Sequence, residues 1–488
     1  MSLVGIDVGS SSIKVTAYSE DGEMLAAASN SLTPLHPGPG LWEQDAEEVW
    51  QATSKGMSSL TETEAVRRDP PTAIAISASG RENFPADSGG NPLGHGIMGA
   101  DIRGDEFEAV PEGANIPEPW CLSCGHLRER MDPIFRLLWW RKYHPEIMEQ
   151  AKFFLGWHDF LTLRICGRVA TDKSSASRYA VYDLEKQDWS PERVAEYDLE
   201  SDLLPEVLPW GSVIGTVKPE VEASWCLPAG TQLALGGHDV SCAAIGAGVS
   251  ESGEACLISG SYENLMVMTS QLPSGRMLIR GLSVMPHPGE AGFAVLVVCP
   301  TGNAVLNWTR DLFGLSIEEV EARLHRRAMD PSPVLAVPYL SGAMAYWEGG
   351  RSLKGTITGL TLATTPVDIV QAFMESIAYD HVNTLSFLTE ESVRVNSIRA
   401  TGGGTRSEWW TQLKADLTGN QIEVVKKQEA GTLGAAILAG VATGVYTNLD
   451  DVSKKVSGTR RIHTPDQARA DRHKESLEAY HNLVSTLL

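Results

Sequence analysis

The sequence predicts an α/β protein made of two similar halves. Three observations carry this. Residues 3–77 run through three strands, a helix and a fourth strand, and that order builds a sheet with helices packed on it. The opening of strand, Gly-Ser turn and strand recurs from residue 254. No low-complexity linker separates the halves, so the domains are expected to pack around one cleft.

The elements follow from local pattern. Residues 3–8 are a short apolar strand closed by Gly9 and a serine run, and residues 13–19 alternate in strand fashion. A Glu-Asp-Gly-Glu turn at 20–23 leads into a third strand over 24–29. Residues 45–66 carry a helical period, Pro70-Pro71 break it, and residues 73–77 form a buried strand. Residues 232–235 are another apolar strand, running into Gly236-Gly237-His238-Asp239, and 240–245 are helical. The boundary is placed near 246–252, giving an N-terminal domain over 1–248 and a C-terminal domain over 249–488. In the second half, 254–259 and 264–269 are strands around Gly260-Ser261, and 294–299 is a buried strand. Helices are expected over 366–388, 407–419 and 432–442, with a strand at 397–401 entering Gly402-Gly403-Gly404.

Composition excludes several classes. Apolar residues make up 42% and charged residues 21%, so the chain is globular rather than disordered. The 62 acidic against 40 basic residues leave a formal charge of −22, which repels nucleic acid and anionic lipid. An anionic small substrate would need local dipoles, a lysine or a metal to offset that field. Seven scattered cysteines fit a reducing cytoplasm, and the N-terminus has no signal-peptide pattern. No apolar run approaches the ~18 residues a bilayer span needs. Cys121-x-x-Cys124 lacks a second pair for zinc, and the tryptophans at 139, 140, 409 and 410 read as core. No P-loop and no dinucleotide fingerprint is present.

Four constellations carry chemistry, each with a plainer alternative. In Asp7-x-Gly9-Ser10-Ser11-Ser12-x-Lys14, a strand-end acid can hold hydrated magnesium, and the turn with its lysine can cradle a phosphate. The same residues also describe an ordinary hairpin with a surface lysine. Gly260-Ser261 repeats the glycine–serine chemistry, or is simply a turn. Asp239, at a glycine-rich strand end, can act as general base or serve as a helix N-cap. Gly402 to Gly404, followed by Ser407, let a planar ligand approach the backbone, or make a plain strand–helix turn. The small-residue stretch Glu429-Ala430-Gly431-x-x-Gly434 reads as a close-packing helix face.

Taken in order, these pieces resemble the FGGY family of carbohydrate kinases nearly end to end. Leu41 to Asp45, Met131-x-Pro133-x-x-Arg136-Leu137-x-Trp139, and Gly355-x-Ile357-x-Gly359-Leu360 with Asp368, Ala372 and Glu375 are similar to its further motifs. Arg136 stands where lysine is usual, and Phe373 departs from the pattern. The resemblance implies a two-domain actin-like ATPase fold, related to ribonuclease H, with a central cleft. It implies transfer of the ATP γ-phosphoryl group to a sugar or polyol hydroxyl. Asp239 would be the base and Asp7 would hold Mg2+ through water. Ser10, Ser11 and Lys14 would steady the phosphate, with Gly260 and Ser261 opposite, while Gly403, Gly404 and Ser407 would line the adenosine site. The rival reading is a non-catalytic nucleotide- or sugar-binding member of the fold. A homodimer is an analogy with the family.

The acceptor segment matches neither of two known patterns. Xylulokinases carry Met-His-Gly where this chain has Ser79-Gly80-Arg81-Glu82-Asn83. Arg81-Glu82 resembles the Arg-Glu pair of glycerol kinases, yet Gly99-Ala100 replace the tryptophan that precedes their Asp-x-Arg, here Asp101-x-Arg103. Met131 replaces their pocket tyrosine. Arg81, Glu82 and Asp101 are therefore expected to bind an acceptor longer than glycerol, of four to six carbons.

Overall fold

A computed structural model describes residues 1–107, 119–127, 131–289, 291–299, 301–327, 329–340, 342–343, 353–427 and 429–488. The chain forms two compact units, one of residues 1–250, 284–293 and 429–457, the other of 251–283, 294–428 and 458–488. The stretch 429–457 thus packs in the first unit, although it lies far beyond the boundary expected near 246–252.

Both units use one sheet plan. In the first, strands Ser2–Val8, Ser12–Ser19 and Met24–Ser31 form an antiparallel meander. Strand Pro71–Ala78 then pairs parallel to Ser2–Val8, Gln232–His238 pairs parallel to Pro71–Ala78, and Val213–Thr216 closes the edge antiparallel. In the second, Glu254–Ser259 pairs antiparallel with Glu263–Thr269, and Phe293–Cys299 lies beyond the latter. Ser397–Thr401 and Ile422–Val425 add in parallel on the other side, and Thr459–His463 closes the edge antiparallel. The repeated opening in the sequence therefore marks a repeated architecture.

Apolar side chains from alternate strand positions build one core of the first unit. Ile6, Val8, Val15, Ile74 and Ile76 pack with Val49, Met57 and Leu60 of helix Ala46–Thr61. On the other face, Leu3, Ala73, Ala75 and Ala234 pack under Leu433, Ala436 and Ile437 of helix Ala430–Ala442. That helix needs its small residues. A Cβ on Gly434 would lie 1.8 Å from the Cys242 carbonyl oxygen, and one on Gly246 would lie 2.0 Å from that of Ala430. The two helices, Asp239–Gly246 and Ala430–Ala442, therefore run in near-backbone contact. In the second unit, Val370, Met374 and Ile377 of helix Pro366–Glu390 bury against Trp409, Trp410 and Leu413 of helix Glu408–Thr418. Among the described residues, no helix is long and apolar enough to cross a membrane.

Candidate active site

Three parallel strands of the first unit end at the same level. Their register sets Asp7 beside Ser77 and Ser77 beside Gly237, so Asp7, Ser77 and the His238-Asp239 pair emerge from adjacent carboxyl ends. Ligands favour this end of a parallel sheet. The Ser77 hydroxyl donates to Asp7 Oδ1 at 2.6 Å. Burial, followed by the nearby charge of Asp239, raises the Asp7 pKa to about 6, against the pull of Ser77 and Lys14. Such a carboxylate is stabilised by a divalent cation. Among the described residues, no group of three His, Cys, Asp or Glu side chains could cage a metal alone.

Lys14 stands directly opposite Asp7 in the hairpin, where cross-strand side chains share a face. Its ammonium donates to Glu429 Oε2 at 2.8 Å. Between the two strands, Gly9 N donates to the Ser12 carbonyl at 3.1 Å, leaving Ser10 and Ser11 exposed on the turn.

Asp239 is not a helix N-cap. His238 occupies the cap position and Asp239 is the first helical residue, its Oδ1 accepting from Val240 N at 2.7 Å. Its side chain is 41% exposed, and desolvation of the carboxylate, against the pull of Val240 N and the Arg178 charge, raises its pKa from the ordinary aspartate value. The buried His238 ring lies with Nδ1 3.0 Å from Asp239 Oδ1. Burial, then the Arg178 charge, lowers the His238 pKa to about 3, so the imidazole is neutral.

The expected acceptor residues lie in the same unit. Glu82 is buried; its Oε1 accepts from Gly99 N at 3.4 Å, and its enclosed Oε2 has no donor among the described residues. Arg81 reaches the buried Asp132 at 3.4 Å. Asp101 has both oxygens engaged internally. Oδ1 accepts from Arg103 N at 2.7 Å and Arg103 Nε at 2.9 Å, and Oδ2 from Trp42 N and Arg103 Nη2, both at 2.6 Å. Arg103 in turn donates to Glu43 at 2.6 Å, which ties the 41–45 segment to the 99–103 turn. Asp101 therefore holds the wall together and has little left for a ligand. Arg136 is fully buried and donates to the carbonyls of Arg81, Ile97 (3.1 Å) and Met98 (2.7 Å). A lysine in its place could not fork across three carbonyls.

In the second unit the two glycine motifs meet. The Gly260 N–H donates to the Tyr262 carbonyl at 2.9 Å, and Ser261 is exposed. Asn303, at the start of helix Asn303–Leu312, donates its N–H to the Gly260 carbonyl at 3.0 Å and its side-chain amide to the Ser259 carbonyl at 3.3 Å. Gly402 has φ +93°, and a Cβ there would lie 2.6 Å from the Ser259 carbonyl oxygen. A Cβ on Gly404 would lie 2.0 Å from Ser259 Oγ, whereas Gly403 is exposed with room above it. Ser407 caps helix Glu408–Thr418, its hydroxyl accepting from Trp410 N at 3.1 Å, and is buried. Beneath the turn, Ser259 Oγ donates to Glu263 at 2.8 Å, and Glu263 also receives Lys414 and His381. Burial alone would raise the Glu263 pKa, but the Lys414 charge and His381 outweigh it and leave the value at about 2.

Sequence reasoning singled out neither Ser77, Arg178 nor Glu429 as site residues. Glu429 stands 415 positions from its partner Lys14. Its signal was the small-residue helix start, where Gly431 lets the backbone approach Asp7: a Cβ there would lie 3.0 Å from Oδ1.

Comparison with known proteins identifies the family and the fold. Residues 2–246 match the N-terminal domain, and residues 290–443 the C-terminal domain, of the FGGY family of carbohydrate kinases. A xylulose kinase of Escherichia coli K12 is 29% identical over 494 residues, covering 99% of both chains. An L-xylulose/3-keto-L-gulonate kinase of the same organism is 26% identical, covering 99% of this chain and 97% of the relative. The crystal structure of a xylulose kinase from Lactobacillus acidophilus superposes with a TM-score of 0.91 at 22% identity, covering 100% of this chain and 98% of the other. The fold is thus the actin-like fold of the sugar kinases, and the chain belongs to the FGGY family of carbohydrate kinases.

Proposed function

We propose that the protein transfers the γ-phosphoryl group of ATP to a hydroxyl of a four- to six-carbon sugar or polyol, with Asp239 as general base. The observation that carries the reading is the Asp239 carboxylate. It is open to a ligand, raised in pKa, and placed beside a neutral histidine at the ends of the parallel strands. A raised pKa brings a base closer to the proton it must accept, which improves general-base catalysis near neutral pH.

In this reading Asp239 takes the acceptor hydroxyl proton as that oxygen attacks the γ-phosphorus. Neutral His238 adds no cation that would lower the basicity of Asp239. Asp7 would hold a bound Mg2+, which would supply charge neutralisation at the phosphates. Lys14, with the exposed Ser10 and Ser11, donates to the phosphate oxygens. In the second unit, Gly260 and Ser261 offer a further phosphate turn and Gly403 an open backbone edge for the adenosine, with Gly404 and Ser407 packing behind it. Arg81 and the unpartnered oxygen of Glu82 read adjacent acceptor hydroxyls, one donating and one accepting. Asp101 supports them by fixing the 99–103 turn.

The test is a coupled-enzyme screen of the purified protein with Mg-ATP and a panel of three- to seven-carbon polyols, ketoses and sugar acids. A preferred acceptor of four to six carbons is expected. Glycerol as the best acceptor would overturn the pocket reading. ATP binding without transfer to any acceptor would favour a non-catalytic member of the fold.

A further inference from the structure

We propose that Glu429 is a positioning residue for phosphoryl transfer, holding the Lys14 ammonium beside Asp7 and yielding it to the transferring phosphate. The proposal rests on the kinase reading above. Lys14 faces Asp7 across the hairpin, so without a second acceptor its ammonium would fall on Asp7 and neutralise the carboxylate that magnesium needs. Glu429 prevents this by taking the ammonium at 2.8 Å. Among the described residues, its carboxylate takes no bond other than that from Lys14. Glu429 occupies the N-cap position of helix Ala430–Ala442 but makes no side-chain cap bond. The helix itself is fixed, because Gly434 and Gly246 press it against helix Asp239–Gly246. The pair is nonetheless exchangeable: the two side chains are 43% and 38% exposed, and ion pairs that reach water are weak. A phosphate carrying more charge can therefore take the ammonium over with little reorganisation.

A double-mutant cycle tests this on the full-length protein, using Glu429→Gln, Lys14→Gln and the double variant, with the best acceptor from the screen. Glu429→Gln should lower kcat by roughly ten- to a hundredfold, up to the scale of about 10² for a misplaced group, with the acceptor KM nearly unchanged. In the Lys14→Gln background the same change should cost nothing further. Glu429→Asp, with a shorter reach, should recover part of the loss. All variants should melt close to the wild-type temperature. An unchanged kcat in Glu429→Gln, or an equal loss in both backgrounds, would overturn the proposal. Wild-type protein inactive on every acceptor would instead sink the kinase reading, and this role with it.

Discussion

At the residue scale, chemistry depends on how each polar group is satisfied. Asp239 is exposed enough to meet a substrate and crowded enough to hold a proton more readily than a free aspartate. Asp239→Asn should lower kcat by about 10²–10⁴, the range for loss of a general base, while ADP affinity measured by calorimetry stays near wild type. The sign of the pH effect follows from the same shift. The base works only when ionised, so kcat/KM should fall as pH drops, through a pKa above the ordinary aspartate value. Wild-type activity that persists undiminished to pH 4 would remove Asp239 from this role. Arg136 is held differently, its two Nη groups donating to three backbone carbonyls inside the protein. Arg136→Lys keeps the charge but leaves carbonyls without a donor, and should cost about 1–3 kcal/mol in urea denaturation. An unaltered midpoint would show that the fork is dispensable.

At the element scale, helix Pro366–Glu390 carries an acid on its buried face. Glu375 accepts from the Gln371 side chain at 2.7 Å and from Ser332 N at 3.0 Å, and its burial raises the pKa to about 8. The folded value lies above the unfolded one. This group's contribution is therefore fully present below about pH 4.5 and is lost as pH rises through about 8. Glu375→Gln cannot ionise. Its melting temperature relative to wild type should therefore increase from pH 5 upward and level off above about pH 8, which differential scanning fluorimetry would follow. A constant difference across that range would mean that Glu375 titrates normally in the folded protein. Glu263 behaves oppositely: with a folded value of about 2, its contribution is present above the unfolded carboxylate value and is lost only as pH falls through about 2. Glu375 and Glu263 thus act at opposite ends of the pH scale, because the Lys414 charge outweighs burial at Glu263, whereas burial outweighs the neutral donors and the Arg327 charge at Glu375.

At the scale of the whole molecule, continuity in the chain and continuity in the fold differ. The first unit is completed by residues 429–457, whose helix covers Leu3, Ala73, Ala75 and Ala234. A fragment of residues 1–250 would expose that apolar face of its sheet. It should aggregate or lack a cooperative melt, and supplying residues 429–457 through a flexible linker should improve its folding, judged by gel filtration and circular dichroism. A monomeric, cooperatively folding 1–250 fragment would show that the returning helix is not needed.

The sequence alone determined what short-range physics controls. Alternating apolar residues, glycine–serine turns and proline breaks placed strands over 3–8, 13–19, 73–77, 254–259 and 397–401 and helices over 45–66, 366–388 and 407–419, close to where they form. These signals suffice because a strand or helix is made by neighbours along the chain, and the repeated opening announced the repeated sheet. Ser407, read as the start of the helix over 407–419, is its N-cap in the structure, its hydroxyl accepting from Trp410 N. Tertiary structure decided the rest. It set Glu429 on Lys14, turned both oxygens of Asp101 inward to Arg103 and Trp42, and gave Arg136 three carbonyls to hold. It also returned 429–457 to the first unit. Each of these joins groups far apart in sequence, and their pairing depends on which backbones can approach. Here glycines at 246 and 434 set that approach through packing, which no local pattern of residues encodes.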